Sequence, residues 1–327
     1  MNFENFQKIY KIAIFFLCVV FVISCSSYKE YKIFEEYKQD AYNSITILGD
    51  TQRTSGWEFW RENNDEYRKS LFPAVVKEKP DAIVILGDLV FRGSSQWHWQ
   101  EFEQNTQEAR TNKITIYPLL GNHQYYGNNQ EAFENYFQRF PYLKNSRWYD
   151  RKLSSCAFLF LDSNFGELSE EEIFLQNLWY LKKLKEYENS PEVKHIFVCC
   201  HHPALTNSTV ISPSQEVKQH FLPAFLSMNK TRIFFSGHCH AYEHFFYEGK
   251  HFIVSGGGGG PRHTLNTNPS TRKYQDLFSG SEIRSLHYCK LLLDKSQLHF
   301  TMMGFDPDKK IWDRQDSFVV ALNQELE

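Results

Sequence analysis

The chain has no basic run, and its 36 lysines and arginines stand against 39 acids for a formal net charge of −3. Nothing in that balance supplies the electrostatic footprint of a nucleic-acid-binding surface. It has no CxxC spacing, which removes the usual structural zinc patterns. No internal repeat is visible, which excludes a structural repeat protein. Apolar runs are short: the segment Ile12–Ile23 (IAIFFLCVVFVI) stops well before the ~18 residues that a membrane span needs.

That run follows Lys8 and Lys11 and is followed by Ser24, Cys25, Ser26 and Ser27, the layout of a secretory signal. Val22-Ile23-Ser24-Cys25 resembles a bacterial lipobox, with valine where leucine is more usual. The resemblance implies cleavage before Cys25, a lipid on Cys25, and an exported lipoprotein held at a membrane on the periplasmic or cell-surface side. A retained anchor helix or an ordinary signal is the alternative. Cys18 leaves with the signal, so Cys156, Cys199, Cys200, Cys239 and Cys289 form an odd set. Most lie in apolar runs, which favours buried thiols over pairing.

Beyond the signal, about 300 residues suffice for one large α/β domain. Five apolar, strand-like runs end in the same way, with a metal-capable side chain just after the last apolar residue. They are SITILGD ending at Asp50, AIVILGD at Asp88, ITIYPLL before Gly121-Asn122-His123, IFVCC before His201-His202-Pro203, and IFFSG before His238 and His240. Histidines two apart on extended backbone point to one side, so a strand end can aim both at one ion. Five such ends make a site along one sheet edge.

Between these runs, Ser169 reads as a helix N-cap followed by three acids, with Phe174, Leu178, Leu181 and Leu184 as the core-facing stripe. The five glycines 256–260 read either as a flexible loop or as close backbone approach to an anion. His287–Asp294 and Gln297–Gly304 read as a closing hairpin turning at 294–296. Trp57, Phe59, Trp60, Tyr125, Tyr126, Trp148 and Tyr149 follow the first and third motifs. Packing under long loops is the commoner explanation for them, with stacking on a nucleotide or aryl group as the alternative.

Taken in order, Asp50, GDLVFRG at 87–93, GNH at 121–123, HHP at 201–203 and GHCHAYEH at 237–244 resemble the calcineurin-like metallophosphoesterases, on the purple acid phosphatase side, over roughly residues 45–260. The resemblance implies a four-layer α/β/β/α sandwich with two central mixed β-sheets. It divides the chain into a signal (1–24), a tether (25–44), a metallophosphoesterase domain (45–305) and a C-terminal extension (306–327).

It also implies a pair of divalent or trivalent ions, Fe, Mn or Zn, since mixed O and N donors suit these rather than calcium. Asp88 matches the bridging carboxylate. Asp50 and His240 match ligands of the first metal, and Asn122, His201 and His238 those of the second, with His201 preferred to His202. His123 matches a general acid beside the metals, and Arg92 is either a phosphoryl-neutralising cation or a surface ion pair. The implied activity is phosphoester hydrolysis by in-line attack of a metal-bridging hydroxide, with a monoester as first expectation. A phosphodiesterase acting on nucleotides or phospholipid head groups, and a non-catalytic binding lipoprotein, are the alternatives.

The sequence departs from the family in three places. Gln52 stands where relatives often have histidine, and it can ligate only through its carbonyl oxygen. Phe91 takes the place of the iron-binding tyrosine, so a colourless protein is expected. Gln124 replaces an acid that often follows GNH.

Overall fold

The computed structural model of the chain describes residues 31–293 and 297–321. The signal, Cys25, the turn at 294–296 and the last residues of the extension lie outside the described residues.

The elements run β1 (Ser44–Leu48), α1 (Asp65–Lys77), β2 (Ala82–Ile85), α2 (Gln96–Asn105), α3 (Gln107–Thr111), β3 (Thr115–Pro118), α4 (Asn129–Arg139), β4 (Tyr149–Leu153), β5 (Cys156–Phe160) and α5 (Glu170–Asn189). There follow β6 (His195–Cys199), α6 (Gln215–His220), α7 (Leu222–Ser227), β7 (Thr231–Ser236), β8 (Tyr242–Tyr247), β9 (Lys250–Ser255), β10 (His287–Leu293), β11 (Gln297–Asp306) and β12 (Ile311–Ala321).

Two six-stranded sheets result, ordered β12-β11-β10-β1-β2-β3 and β4-β5-β6-β7-β9-β8. Both are mixed: β1, β2 and β3 run parallel, as do β5, β6, β7 and β9, while β4, β8 and β10–β12 pair antiparallel. Phe158, Phe160, Phe197, Cys199, Ile233 and Phe235 of the second sheet share one core with Ile45, Ile47 and Ile83 of the first. Their alternates Leu159, Ile196, Val198 and Phe234 pack with Tyr180 and Leu184 of α5 in a second core. Strands buried on both faces need continuous apolar sequence, which is why the five motif strands read as unbroken runs. The four-layer arrangement with two mixed sheets is the fold expected.

Three expectations change. In α5, Ser169 and Glu172 form the expected capping box, but Gln176, Tyr180, Leu184 and Tyr187 are buried. Phe174, Leu178 and Leu181 are exposed. The helix is turned by a polar anchor: Gln176 accepts from Asp162 N at 2.8 Å and donates to Asp162 O at 2.9 Å. Residues 33–43 of the expected tether dock on the body, with Phe34 stacked on Phe140 at 4.8 Å and Tyr37 N donating to Thr115 Oγ1 at 2.8 Å. Within the expected C-terminal extension, β12 pairs with β11 from Ile311 to Ala321 and forms the sheet edge. The expected hairpin is present as β10 and β11, in register from His287↔Gly304. All five cysteines in the described residues are free and buried.

His195 opens β6 almost fully buried, and neither ring nitrogen has a partner among the described residues. Burial, with help from the Arg232 charge, pushes its pKa down to about 4. The folded value lies below the ordinary one, so the unfolded chain binds more protons between these pH values. Stability is therefore fully present above pH ~6.5 and lost as pH falls toward 4. His195→Phe should flatten this limb by ~3 kcal/mol at its acid end, read as urea-unfolding free energies at pH 7 and pH 4.5.

Candidate metal centre

Each expected ligand sits in the turn after a motif strand. Asp50 follows β1, Asp88 follows β2, Asn122 and His123 follow β3, His201 follows β6, and His238 and His240 follow β7. Asp50, Asp88 and His238 hold left-handed backbone, with φ of 60°, 51° and 64°. Such conformations disfavour non-glycine residues and cluster at functional sites.

The turns converge. Asp88, His201 and His238 present ligand atoms within 4.8 Å of one another, as do Asp50, Asp88 and His240, and Asp88 belongs to both groups. His201 Nε2 lies 3.3 Å from Asp88 Oδ2, 3.0 Å from Asn122 Oδ1 and 3.2 Å from His238 Nδ1. His240 Nε2 lies 3.4 Å from Asp50 Oδ1. The structure thus brings together Asp50, Asp88, Asn122, His201, His238 and His240. His202 turns away, its Nδ1 2.9 Å from Ser163 Oγ.

The donor chemistry fits cations. His201 Nδ1 faces the Leu86 carbonyl and His240 Nδ1 the Pro261 carbonyl, both at 2.8 Å. Donating there leaves each Nε2 a bare acceptor, with Asp88 and Asn122 oxygens, acceptors too, facing that of His201 and an Asp50 oxygen facing that of His240. Buried acceptors facing acceptors need a positive charge between them. The local field has that form. Burial disfavours charge on His201, yet Asp88 and Asp50 push its pKa up to about 9. Burial would raise Asp88, but His201 and His123 hold it well below the usual carboxylate range. Burial raises Asp50, and burial together with His201 and His202 lowers His238.

Gln52 lies in the same cluster, its amide nitrogen 3.1 Å from His240 Nε2 and 3.3 Å from Asp88 Oδ2. Its Oε1 is buried without a partner among the described residues. A half-turn of the amide, which preserves its shape, exchanges nitrogen for oxygen beside His240. Gln52 therefore lies beside His240 and Asp88, the neighbours expected of it from the sequence.

His123 stands beside the cluster. Its backbone N–H donates to Asp88 Oδ1 at 2.9 Å, its Nδ1 lies 2.5 Å from the Phe91 carbonyl, and its Nε2 is 3.8 Å from Asp88 Oδ2. Tyr126 packs on its ring at 4.3 Å and accepts from Asn122 Nδ2 at 3.0 Å. Phe91 packs against His123 at 5.1 Å. Arg92 is exposed, donates to Ser94 Oγ at 3.3 Å, and pairs with no carboxylate among the described residues. The aromatic residues divide: Tyr125 and Tyr149 are buried, whereas Trp57, Phe59 and Trp60 are almost bare to solvent.

Two supports were not foreseen. Gln124 Oε1 accepts from Asp88 N at 2.8 Å and from Gly121 N at 2.9 Å, tying the ends of β2 and β3 together. Its position as third residue of a helical turn is the legible signal for such a role. The glycines 256–260 are buried and strap the backbone behind the ligands, with Gly260 N donating to Asp50 O at 3.0 Å. They are neither a loose loop nor an open anion cradle. A Cβ at Gly260 would lie 2.6 Å from His240 Cε1, so only glycine lets the strap pass.

The double-sheet sandwich thus carries at one strand edge an acid, amide and histidine cluster that could hold metal ions. The calcineurin-like phosphoesterase family model matches residues 44–242, and the chain belongs to that family. It is a phosphoric ester hydrolase. Solved structures similar to it include GAP50, described as the anchor in the inner membrane complex of Plasmodium, at 17% identity and TM-score 0.65, covering 88% of this chain and 91% of that one. A purple acid phosphatase from yellow lupin seeds aligns at 16% identity and TM-score 0.61, covering 88% of this chain and 55% of that one. A dimetal phosphatase from Danio rerio aligns at 13% identity and TM-score 0.55, covering 87% and 100%. At these identities the likeness concerns the fold. No curated protein sequence matches the chain.

Proposed function

We propose that the chain is a two-metal phosphomonoesterase in which Asp88 would contribute to both metal sites. Asp50, His240 and Gln52 complete the first site, and Asn122, His201 and His238 the second. The observation that carries this is the membership of Asp88 in both ligand groups. The ions, Fe, Mn or Zn, supply Lewis-acid charge and a more acidic bound water when present. The protein's part is positional. Backbone carbonyls fix the tautomers of His201 and His240, and left-handed turns aim Asp50, Asp88 and His238. His123, with Nδ1 held by Phe91 O, carries a proton on Nε2 to the leaving oxygen. Arg92, exposed and paired with no carboxylate among the described residues, meets the phosphoryl oxygens. A cavity of about 540 Å³ between Glu62, Tyr67 and Phe305 contains none of these groups.

The test is metal analysis with a panel of monoesters, diesters and pyrophosphates. Monoesters should be preferred at about two ions per chain. A diester turned over faster than any monoester would refute the assignment. His123→Asn should slow alkyl phosphates by ~10²-fold or more while sparing a good aryl leaving group, which needs little protonation. Equal slowing of both would remove His123 as the acid.

We propose further that the protein is exported and carries its lipid on Cys25. Within the described residues the docked segment begins at Phe34, whose N–H donates to Arg139 O at 2.8 Å, and then runs past Thr115 and Asp81 at the strand starts. Cys25→Ala should release the protein from washed membranes and abolish palmitate labelling. Retention with unchanged labelling would refute the lipid site.

A further inference from the structure

Strand β5 also runs into an acid. Cys156–Phe160 is followed by Leu161 and Asp162, yet Asp162 belongs to neither ligand group and is fully buried. A buried carboxylate is costly unless its oxygens are met. Here Oδ2 accepts from the Tyr125 hydroxyl, and Oδ1 accepts from Asn164 N at 3.0 Å and Asn164 Nδ2 at 2.8 Å. The Arg147 charge favours its ionised form. Gln176 of α5 pins the Asp162 backbone from the other side.

The turn 162–164 reaches both sheets. Toward the first, Tyr125 closes the helical turn Asn122–Tyr125, which carries Asn122 and His123, and Asn164 Nδ2 also donates to the Leu120 carbonyl at 3.2 Å. Toward the second, Ser163 Oγ accepts from His201 N at 3.1 Å and from His202 N at 3.0 Å. The turns after β3 and β6 are thus tied to one buried segment, and the side chains they carry meet, with Asn122 Oδ1 3.0 Å from His201 Nε2. Asp50 and His240 are held by other contacts, Asp50 O by Gly260 N at 3.0 Å and His240 Nδ1 by the Pro261 carbonyl at 2.8 Å.

We propose that the turn 162–164 is a clamp and that Tyr125 and Asp162 are positioning residues for the second metal, setting the spacing between Asn122 on one sheet and His201 on the other. The inference rests on the two-site reading above. It makes the two ions separable: loosening the clamp weakens the ion held by Asn122 and His201 and spares the one held by Asp50 and His240.

The experiment is calorimetric titration of Mn²⁺ into metal-depleted protein. Tyr125→Phe keeps the ring, which packs on Phe133 at 5.2 Å, and removes only the hydroxyl. One ion should bind as in the wild type and the other at least about tenfold more weakly. Excess Mn²⁺ should recover aryl phosphate turnover. Asn164→Ala cuts the tie to Leu120 and should weaken the same ion, so the clamp is tested even if Tyr125→Phe does not fold. Tyr136→Phe is the control. Its hydroxyl donates to Pro118 O at 2.9 Å, on β3, and not to the turn 162–164, so both affinities should stay as they are. Binding of both ions by Tyr125→Phe or Asn164→Ala as tightly as by the wild type overturns the clamp and leaves the two-site reading standing. Equal weakening of both ions overturns it too, as does the same loss in Tyr136→Phe. A wild type that binds a single ion overturns the two-site reading and this inference with it.

Discussion

Asp88→Asn should leave a folded protein that hydrolyses an aryl phosphate at least ~10³-fold more slowly than the wild type and retains less than its full metal content. The expectation follows from what each oxygen of this carboxylate faces. Oδ1 accepts the His123 backbone N–H at 2.9 Å, and Oδ2 lies 3.3 Å from both His201 Nε2 and Gln52 Nε2. An amide supplies one acceptor where two are used and removes the negative charge shared by both ligand groups. Asparagine is the informative replacement because Asp88 has φ 51°, a left-handed backbone that Asn tolerates better than Ala. Alanine would add backbone strain and blur a chemical loss with a structural one. Turnover, metal content by mass spectrometry and thermal unfolding should be measured on the same preparation. Full activity in a folded variant would end the bridging assignment.

Much of this edge was legible in sequence for a physical reason. Strands covered on both faces read as apolar runs, and a ligand must lie just beyond where the run stops. Asp50, Asp88, Asn122 and the histidines could therefore be placed without tertiary information. What could not be read depended on side chains that act through backbone. Gln124 bonds two main-chain N–H groups from different turns, and no periodicity records that. Gln176 turned α5 away from its most apolar stripe because its amide completes the end of β5. Hydrophobic patterning has no term for a buried amide with two good partners. Strand β12 escaped notice because it is an edge strand with a mixed sequence, and its pairing with β11 shifts register between Met302 and Met303. The docked residues 33–43 are held by isolated anchors such as Phe34 rather than by a repeating pattern.

Gly121→Ala should cost ~10²-fold or more in turnover and ~1–3 kcal/mol in stability. The backbone at Gly121 has φ −99° and ψ 178°, which any residue can adopt, so the cost is collision and not conformation. A Cβ there would fall on Asp88 Oδ1 and lie 2.5 Å from Asp88 N. Asp88 cannot retreat, because its N–H and that of Gly121 both donate to Gln124 Oε1. Relief must separate the β2 turn from the β3 turn, and that moves the bridging carboxylate away from Asn122 and His123 together. Two ligand groups that share Asp88 then lose their common geometry, so added metal should not restore the rate. Gly56→Ala is the matched control, since a Cβ there meets nothing within 4 Å. Near-normal turnover by Gly121→Ala, or full rescue by excess metal, would show that the two turns are not held in contact as the cluster requires.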